Sequence, residues 1–136
     1  MLTDEQEKQE RQDKIVLEIV DCAKAVYSSL GHGFQEIVYH RALSAEMMLR
    51  GIEHRREYKL PLYYKCIDIG AKRIDFLVEG EMPVEAMAFI NLSDTHIDQA
   101  LRNLVAYNLE TGVLINFGAE HLQLKRLFNK KYREKY

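Results

Sequence analysis

The stretch that decides the fold runs from Arg73 to Ile90 and reads RIDFLVEGEMPVEAMAFI. Its pattern predicts two strands joined by a tight turn at Gly80. The second strand, which begins at Val84, is apolar apart from Glu85, and this is typical of a strand covered on both faces. A carboxylate in such a strand is costly unless it is paired, protonated or bound to a cation. We therefore expect Glu85 to have a chemical role.

A second carboxylate, Asp75, lies on the first of these two strands. Because side chains alternate between the faces of a sheet, the register decides whether the two acids meet. A loop over residues 80–82 puts Asp75 opposite Met87 and places Asp75, Glu85 and Met87 on one face, whereas a two-residue loop separates them. We expect the longer loop, because it gives a hard cation two oxygen ligands. The alternative from spacing alone is that Asp75 pairs with Arg73 and Glu85 merely lies near the end of the sheet.

The length and composition indicate one globular domain. A chain of 136 residues can bury an ordinary core, and 47% hydrophobic and 29% charged residues are typical of such a protein. The formal charge of −2 gives no overall basic signature for nucleic acid. We expect a flexible, charged lead-in over residues 1–12 that is a frayed helix, a single domain over residues 13–128 and a basic tail over residues 129–136.

The sequence also limits compartment and assembly. No apolar run is as long as a membrane span, and the polar N-terminus does not resemble a signal peptide. These features predict a cytoplasmic protein with no membrane partner. Cys22 and Cys66 have no metal-binding spacing, so we expect two buried free thiols. A homodimer is the default for a small domain with exposed sheet edges.

Hydrophobic periodicity predicts helices and strands along the whole chain. The predicted helices cover residues 13–30, 34–50 and 95–110. The predicted strands cover residues 53–60, 62–69, 73–79, 84–90, 113–117 and 122–128. Gly112 is expected to end the third helix. The order α-α-β-β-β-β-α-β-β predicts an α/β fold, a mixed sheet flanked by helices.

Two helices carry polar residues that belong to the candidate site. Glu36 lies in the first turn of the second helix, where the helix dipole favours a carboxylate. His40 shares its helix face, and we interpret it as a surface histidine rather than a ligand. On the third helix, Asn103 and Tyr107 lie four residues apart beside the apolar stripe. They either form the wet edge of that helix or face the two carboxylates.

These residues together resemble a known family. Residues 33–39, GFQEIVY, match the signature of the GxxExxY proteins, bacterial and archaeal domains of about this length. The resemblance covers about residues 14–128. It includes the LGxG run at residues 30–33, RxD at 73–75, VE at 84–85, Tyr107 and LINFG at 114–118.

That family is placed in the PD-(D/E)xK nuclease superfamily, and most of its members lack an established activity. The resemblance implies a three-layer restriction-endonuclease-like core and nucleic acid, either DNA or RNA, as the partner. In that superfamily the Asp and the Glu bind Mg²⁺ or Mn²⁺, a helix Glu assists, and a Lys two residues after the strand Glu positions water. Carried over by position, the metal ligands are Asp75 and Glu85, with Glu36 as the helper.

The chain departs from this pattern at several positions. The Lys position holds Met87, which has no charge and no hydrogen-bond donor. The helix Gln corresponds to Asn103, while Tyr107 is retained; Tyr27 and His32 stand where the family usually has His and Pro. Losing one charge-stabilising group typically lowers a rate by about 10²–10³.

Three outcomes remain open from the sequence. The domain keeps its cation and cleaves slowly; a lysine from elsewhere, Lys72 or Lys59, fills the gap; or catalysis is lost. We expect a nuclease-like domain with a degenerate active site and at most weak metal-dependent phosphodiester cleavage, so whether it is an enzyme stays undecided. The alternative is an inactive module that binds nucleic acid or protein. Without a metal or a lysine, Asp75 and Glu85 should repel, and one should hold a proton near neutral pH.

Overall fold

Three helices and five strands make up the structure, a computed structural model that describes residues 1–134. The helices are α1 (Asp4–Leu30), α2 (Glu36–Leu49) and α3 (Asp94–Ala106). The strands are β1 (His54–Tyr64), β2 (Ile67–Val78), β3 (Met82–Met87), β4 (Thr111–Asn116) and β5 (Gln123–Phe128).

The strands form one mixed sheet in the order β1-β2-β3-β4-β5. All neighbouring pairs are antiparallel except β3 and β4, which are parallel and are connected through α3. A parallel pair needs such a crossover, because its second strand must start again at the same end of the sheet. The predicted α/β class with a mixed sheet is therefore confirmed.

The sheet is covered on both faces. The larger core lies against α1 and α2, where the Tyr39 and Phe117 rings stack with centroids 4.8 Å apart. A smaller core lies under α3 and includes Leu104, Leu114 and Leu127. β3 and β4 pass between these two cores, so their side chains are buried on both sides and their sequences read as nearly continuous apolar runs.

One strand fewer precedes α3 than predicted. The segments 53–60 and 62–69 were expected as two strands, with Pro61 as a break or an edge. Instead, β1 runs through Pro61, which pairs with Ala71 on an edge strand, where a residue without an N–H is tolerated. The turn lies at Lys65 and Cys66, which have φ of 47° and 67°. The sequence hides this turn because neither residue is a Gly or Asn, the usual residues at positive φ.

The predicted register of the central hairpin is wrong by two residues. Val78 pairs with Met82 and Leu77 with Pro83, so the loop is residues 79–81 rather than 80–82. Continuing this register puts Asp75 level with Glu85 instead of Met87. Because the error is an even number of residues, the face assigned to each β3 side chain is unchanged.

Several boundaries also differ. α1 begins nine residues earlier than predicted, with Thr3 as its cap, and Lys8 and Gln12 contact Glu110. α3 ends at Ala106, and residue 112 lies inside β4 rather than at the helix end.

Cys66 was expected to be buried but is exposed, because it lies in the β1–β2 turn; Cys22 is buried as predicted. Of the predicted basic tail, residues 135 and 136 lie outside the described residues. Within residues 1–134, no helix has the length and apolar character needed to cross a membrane.

Candidate metal centre

The signature heptad folds into the turn that starts α2. Tyr39 is fully buried; its hydroxyl donates to the Gly31 carbonyl (2.6 Å) and accepts from the Phe34 N–H (3.3 Å). Gly33 has a φ of 110°, which favours glycine. These contacts fix the connection between the first two helices, so that Glu36 is the first residue of α2.

Asp75 lies where β2 and β3 separate. Their regular pairing ends at Phe76 and Val84, and one residue further the Asp75 Oδ2 accepts a hydrogen bond from the Ala86 N–H (2.9 Å). β2 is irregular here: Phe76 is buried against α1 and α2, whereas Ile74 lines a cavity under α3. In a regular strand residues 74 and 76 share a face. The irregularity lets the Asp75 carboxylate fill the space between the two strands.

Glu85 is half-buried on the α3 side of β3 and contacts Asp75. Burial, followed by the negative charge of Asp75, raises the pKa of Glu85 to about 9. A carboxyl group with this pKa carries a proton at neutral pH and can share it with its neighbour. This agrees with the expectation that one of the two acids holds a proton when no cation is bound.

His40 was interpreted as a surface histidine, and this is wrong. Only 13% of its side chain is exposed, because α2 packs over the end of β3. Its Nε2 lies 2.7 Å from the Ala86 carbonyl oxygen, 3.2 Å from Glu36 Oε1 and 3.4 Å from Asp75 Oδ2. A carbonyl can only accept, so Nε2 carries a hydrogen and donates. The four-residue spacing from Glu36 was the signal that could have placed His40 here.

The predicted ligand set is therefore assembled in part. One ligand atom each from Glu36, His40 and Asp75 lie within 4.8 Å of one another, the single such group among the residues described. Glu85 touches Asp75 but does not belong to that group. Asp75 is the residue common to both contacts, so it links the α2 acid to the β3 acid.

The alternative pairing of Asp75 with Arg73 does not occur. Arg73 Nη1 instead lies 3.2 Å from Glu57 Oε2 on β1. Lys59 pairs with Arg73 in the ladder and does not line the cavity beside Glu85. Neither cation is engaged with the two acids.

Met87 occupies the position where the resemblance implies a lysine, whereas the positive charge near Glu85 comes from Lys72. Met87 is partly buried and packs against the core under α3. Lys72, from β2, donates from Nζ to Asn103 Oδ1 (2.9 Å), and its charge lowers the pKa of Glu85. A positive charge is thus close to Glu85, although it comes from another strand.

Residues 13–127 match the family model of the PD-(D/E)XK nuclease superfamily. The chain belongs to this superfamily. A similar solved structure is the crystal structure of SSO0001, with a TM-score of 0.52 and 14% sequence identity over 68% of this chain and 48% of that one. This chain thus spans about half the length of SSO0001, and the likeness concerns the fold alone. No curated protein matches the chain. The family match and the layered sheet confirm the restriction-endonuclease-like core.

Asn103 on α3 and Tyr107, the residue that caps its C-terminal end, both lie beside Glu85. They line a cavity with Glu85 whose volume is about 20 Å³, roughly room for one water. Burial, with a smaller effect of the Glu85 charge, raises the pKa of the Tyr107 hydroxyl. That hydroxyl is buried without a hydrogen-bond partner among the described residues, so it can serve a polar group that enters the cavity.

The LINFG run, which the resemblance singled out, holds the segment that follows β3. Asn116 is fully buried; its Oδ1 accepts from the Phe89 N–H (2.8 Å) and its Nδ2 donates to the Phe89 carbonyl (2.9 Å) and to Gln123 Oε1 (2.7 Å). At Gly118, an added Cβ would lie 2.4 Å from the carbonyl carbon of Ala88. This close approach fixes where the chain leaves β3, directly after the site.

Proposed function

We propose that this chain is a nuclease-like domain that holds Mg²⁺ or Mn²⁺ at Asp75 and Glu85 and cleaves nucleic acid slowly. The observation that carries the proposal is the contact between these two carboxyl groups, one of which has its pKa raised to about 9. Two acids forced together in a covered sheet are unfavourable alone but form a strong oxygen site for a divalent cation.

The donor set fits such an ion. Asp75, Glu85 and Glu36 supply carboxylate oxygens from β2, β3 and α2, and the Ala86 carbonyl accepts from the same His40 Nε2 that lies near Glu36 and Asp75. Mg²⁺ and Mn²⁺ prefer oxygen ligands of this kind. His40 Nε2 already donates its hydrogen to the Ala86 carbonyl, so we assign His40 to orienting the neighbouring acids rather than to ligation.

A bound divalent ion would supply Lewis-acid stabilisation of the phosphoryl oxygens and a more acidic water. The residues of this chain do the rest. The Ala86 N–H fixes one oxygen of Asp75, and α2 and α3 cover the two faces beside the acids. Lys72 provides positive charge near Glu85, held in place by Asn103.

The rate is expected to be low because of Met87. A thioether at the usual lysine position offers neither charge nor a donor, and the loss of one such group typically costs about 10²–10³ in rate. Lys72 offsets part of this loss. Its Nζ is engaged by Asn103 rather than free to orient a water, so we do not expect it to replace the lysine fully.

The second candidate is an inactive domain that only binds nucleic acid or protein. Met87 is the observation that favours it, because a site without a charge-stabilising group at this position lacks one requirement of cleavage. The two candidates differ in whether Asp75 and Glu85 take up a cation.

Calorimetric titration of the whole chain with MnCl₂ tests this difference. We expect near-stoichiometric uptake by the wild type and its loss in Asp75→Ala, while Asp98→Ala, which removes an exposed carboxylate of α3, keeps it. Mn²⁺ should raise the melting temperature of the wild type and of Asp98→Ala, but not that of Asp75→Ala. If the wild type takes up no Mn²⁺ and its melting temperature does not change when Mn²⁺ is added, the binding module is favoured.

A further inference from the structure

A basic hairpin extends beyond the layered core. Residues 54–73, here called the basic arm, comprise β1 and the first part of β2. None of these residues belongs to either buried cluster of the described chain. At about 3.3 Å per residue, the paired strands beyond Tyr58 extend roughly 20 Å. Most side chains of the arm are exposed, with only alternate residues of β1 half-buried, so the arm offers free surface to a partner.

The charge of the arm opposes that of the rest of the chain. It carries six basic and two acidic residues, a formal charge of +4 that leaves −6 for the remainder. The basic residues are Arg55, Arg56, Lys59, Lys65, Lys72 and Arg73. All six are exposed. The overall charge of −2 conceals this asymmetry, which is the electrostatic footprint expected of a nucleic-acid surface.

Aromatic side chains lie among these cations. Tyr63 is 63% exposed and Tyr64 is 59% exposed, both next to the turn, and Lys65 Nζ lies 5.3 Å from the centre of the Tyr64 ring. More than half of each tyrosine is open to solvent. The two rings are suited to stacking on bases that are not stacked in a duplex, while the neighbouring cations contact phosphates.

The base of the arm leads directly to the candidate metal centre. Lys72 reaches Asn103 beside Glu85, and Asp75 follows two residues after the arm ends at Arg73. A nucleic-acid strand bound along the arm would therefore reach Asp75 and Glu85. A second copy of the chain fits less well, because pairing β1 with another β1 would bring two +4 surfaces together.

We propose that the basic arm binds a single strand of nucleic acid through phosphate contacts and tyrosine stacking, and guides it toward Asp75 and Glu85. This inference rests on the proposed function, since it names the substrate class of that domain. The arm itself needs no metal for binding, so binding by the arm and metal uptake by the acids can be tested separately.

The test is fluorescence anisotropy with a labelled oligonucleotide of about 20 nucleotides, single-stranded or as a duplex, in EDTA so that no divalent ion takes part. The charge variant is Arg56→Gln, Lys59→Gln and Lys65→Gln together. Its matched control is Lys24→Gln, Lys125→Gln and Lys130→Gln, three exposed lysines outside the arm. We expect the charge variant to bind at least tenfold more weakly and the slope of log K against log salt to shrink by about 2, from about 0.7 for each lost phosphate contact. The control should bind like the wild type.

The stacking variant is Tyr63→Ala with Tyr64→Ala, compared with Tyr63→Phe and Tyr64→Phe. We expect about tenfold weaker binding for the alanine pair at an unchanged salt slope, and near-normal binding for the phenylalanine pair. Equal weakening by the lysine control, tighter binding of duplex than of single strand, or indifference to both arm variants would overturn the inference. A chain that binds single strands through the arm but takes up no Mn²⁺ would overturn the proposed function and leave the arm inference intact.

Discussion

Lys72 Nζ and Asn103 Oδ1 are joined by a 2.9 Å hydrogen bond, so a residue of β2 and a residue of α3 meet beside Glu85. The bond holds an ammonium group near the two acids although the residue two positions after Glu85 is a methionine. The local charge balance of the site thus depends on a strand other than the one that carries Glu85.

Replacing Lys72 should strengthen the cation site. The Lys72 charge lowers the pKa of Glu85, and the same ammonium repels a divalent ion roughly twice as strongly as a proton. Lys72→Met should therefore increase Mn²⁺ uptake at pH 7 several-fold, because the gain for the metal exceeds the gain for the competing proton. Calorimetry at pH 7 measures this. Lys59→Met is the matched control, a lysine of the neighbouring strand that does not line the cavity beside Glu85. Equal effects of both variants would mean that general charge, not position, is responsible.

Met87→Lys should raise divalent-dependent cleavage. The new ammonium would stand at the position implied by the resemblance, and a charged group that stabilises the transition state is worth about 10²–10³ in rate. Cleavage of labelled single-stranded DNA and RNA is followed with Mn²⁺ and with EDTA. Met87→Leu, which keeps the apolar contact under α3, should cut no faster than the wild type. If Met87→Lys cuts neither substrate with Mn²⁺, the proposed cleavage is contradicted.

The free energy of unfolding should depend on pH because the pKa of Glu85 is raised in the folded state. Its folded pKa is about 9, whereas the unfolded chain titrates near about 4.3, so the folded state keeps a proton that the unfolded state releases. The contribution of Glu85 is therefore full below about pH 4 and is lost as the pH rises toward 9. Glu85→Gln cannot ionise and should be more stable than the wild type at pH 8, by on the order of 5 kcal/mol.

Urea unfolding at several pH values, without divalent ions, measures that difference. The gap between wild type and Glu85→Gln should close toward pH 4, while Glu120→Gln, an exposed acid, should track the wild type throughout. A constant gap at every pH would indicate a packing effect and not a titration.

Asn116→Asp should destabilise the whole domain. The two hydrogen bonds that the amide donates, to the Phe89 carbonyl and to Gln123 Oε1, would become contacts between acceptors in a fully buried place. We expect a loss of about 3 kcal/mol in the free energy of unfolding at pH 7. Asn91→Asp, in the exposed loop before α3, is the control and should change little. A near-neutral Asn116→Asp would mean that the LINFG segment does not hold the end of β3.

The layered fold was predictable because its signals are local. Apolar periodicity defined the helices, and the doubly covered β3 showed itself as an apolar run around Glu85. The hairpin turn at Lys65 and Cys66 was not predictable, because its positive φ values occur in residues that do not favour them. The exact register was missed for the same reason, since Glu79, with φ of 53°, opens the central loop.

Two sequence signals predicted part of the site: the alternation of side chains between the faces of the sheet, and the four-residue spacing along a helix. An even register error left Asp75 and Glu85 able to meet. The burial of His40 depends on how α2 packs across the end of β3, and the position of the Lys72 ammonium depends on Asn103 of α3. Both are tertiary effects that no spacing along the chain records.

The unpaired edge of β1 favours aggregation, but residues of the same hairpin oppose it. An edge strand of eleven residues is a template on which further chains can add, but Pro61 offers no N–H and the arm cations repel one another. Those cations therefore guard against lateral aggregation. Preparations in which they are neutralised, by substitution or by high salt, should be the first in which this domain forms intermolecular sheets.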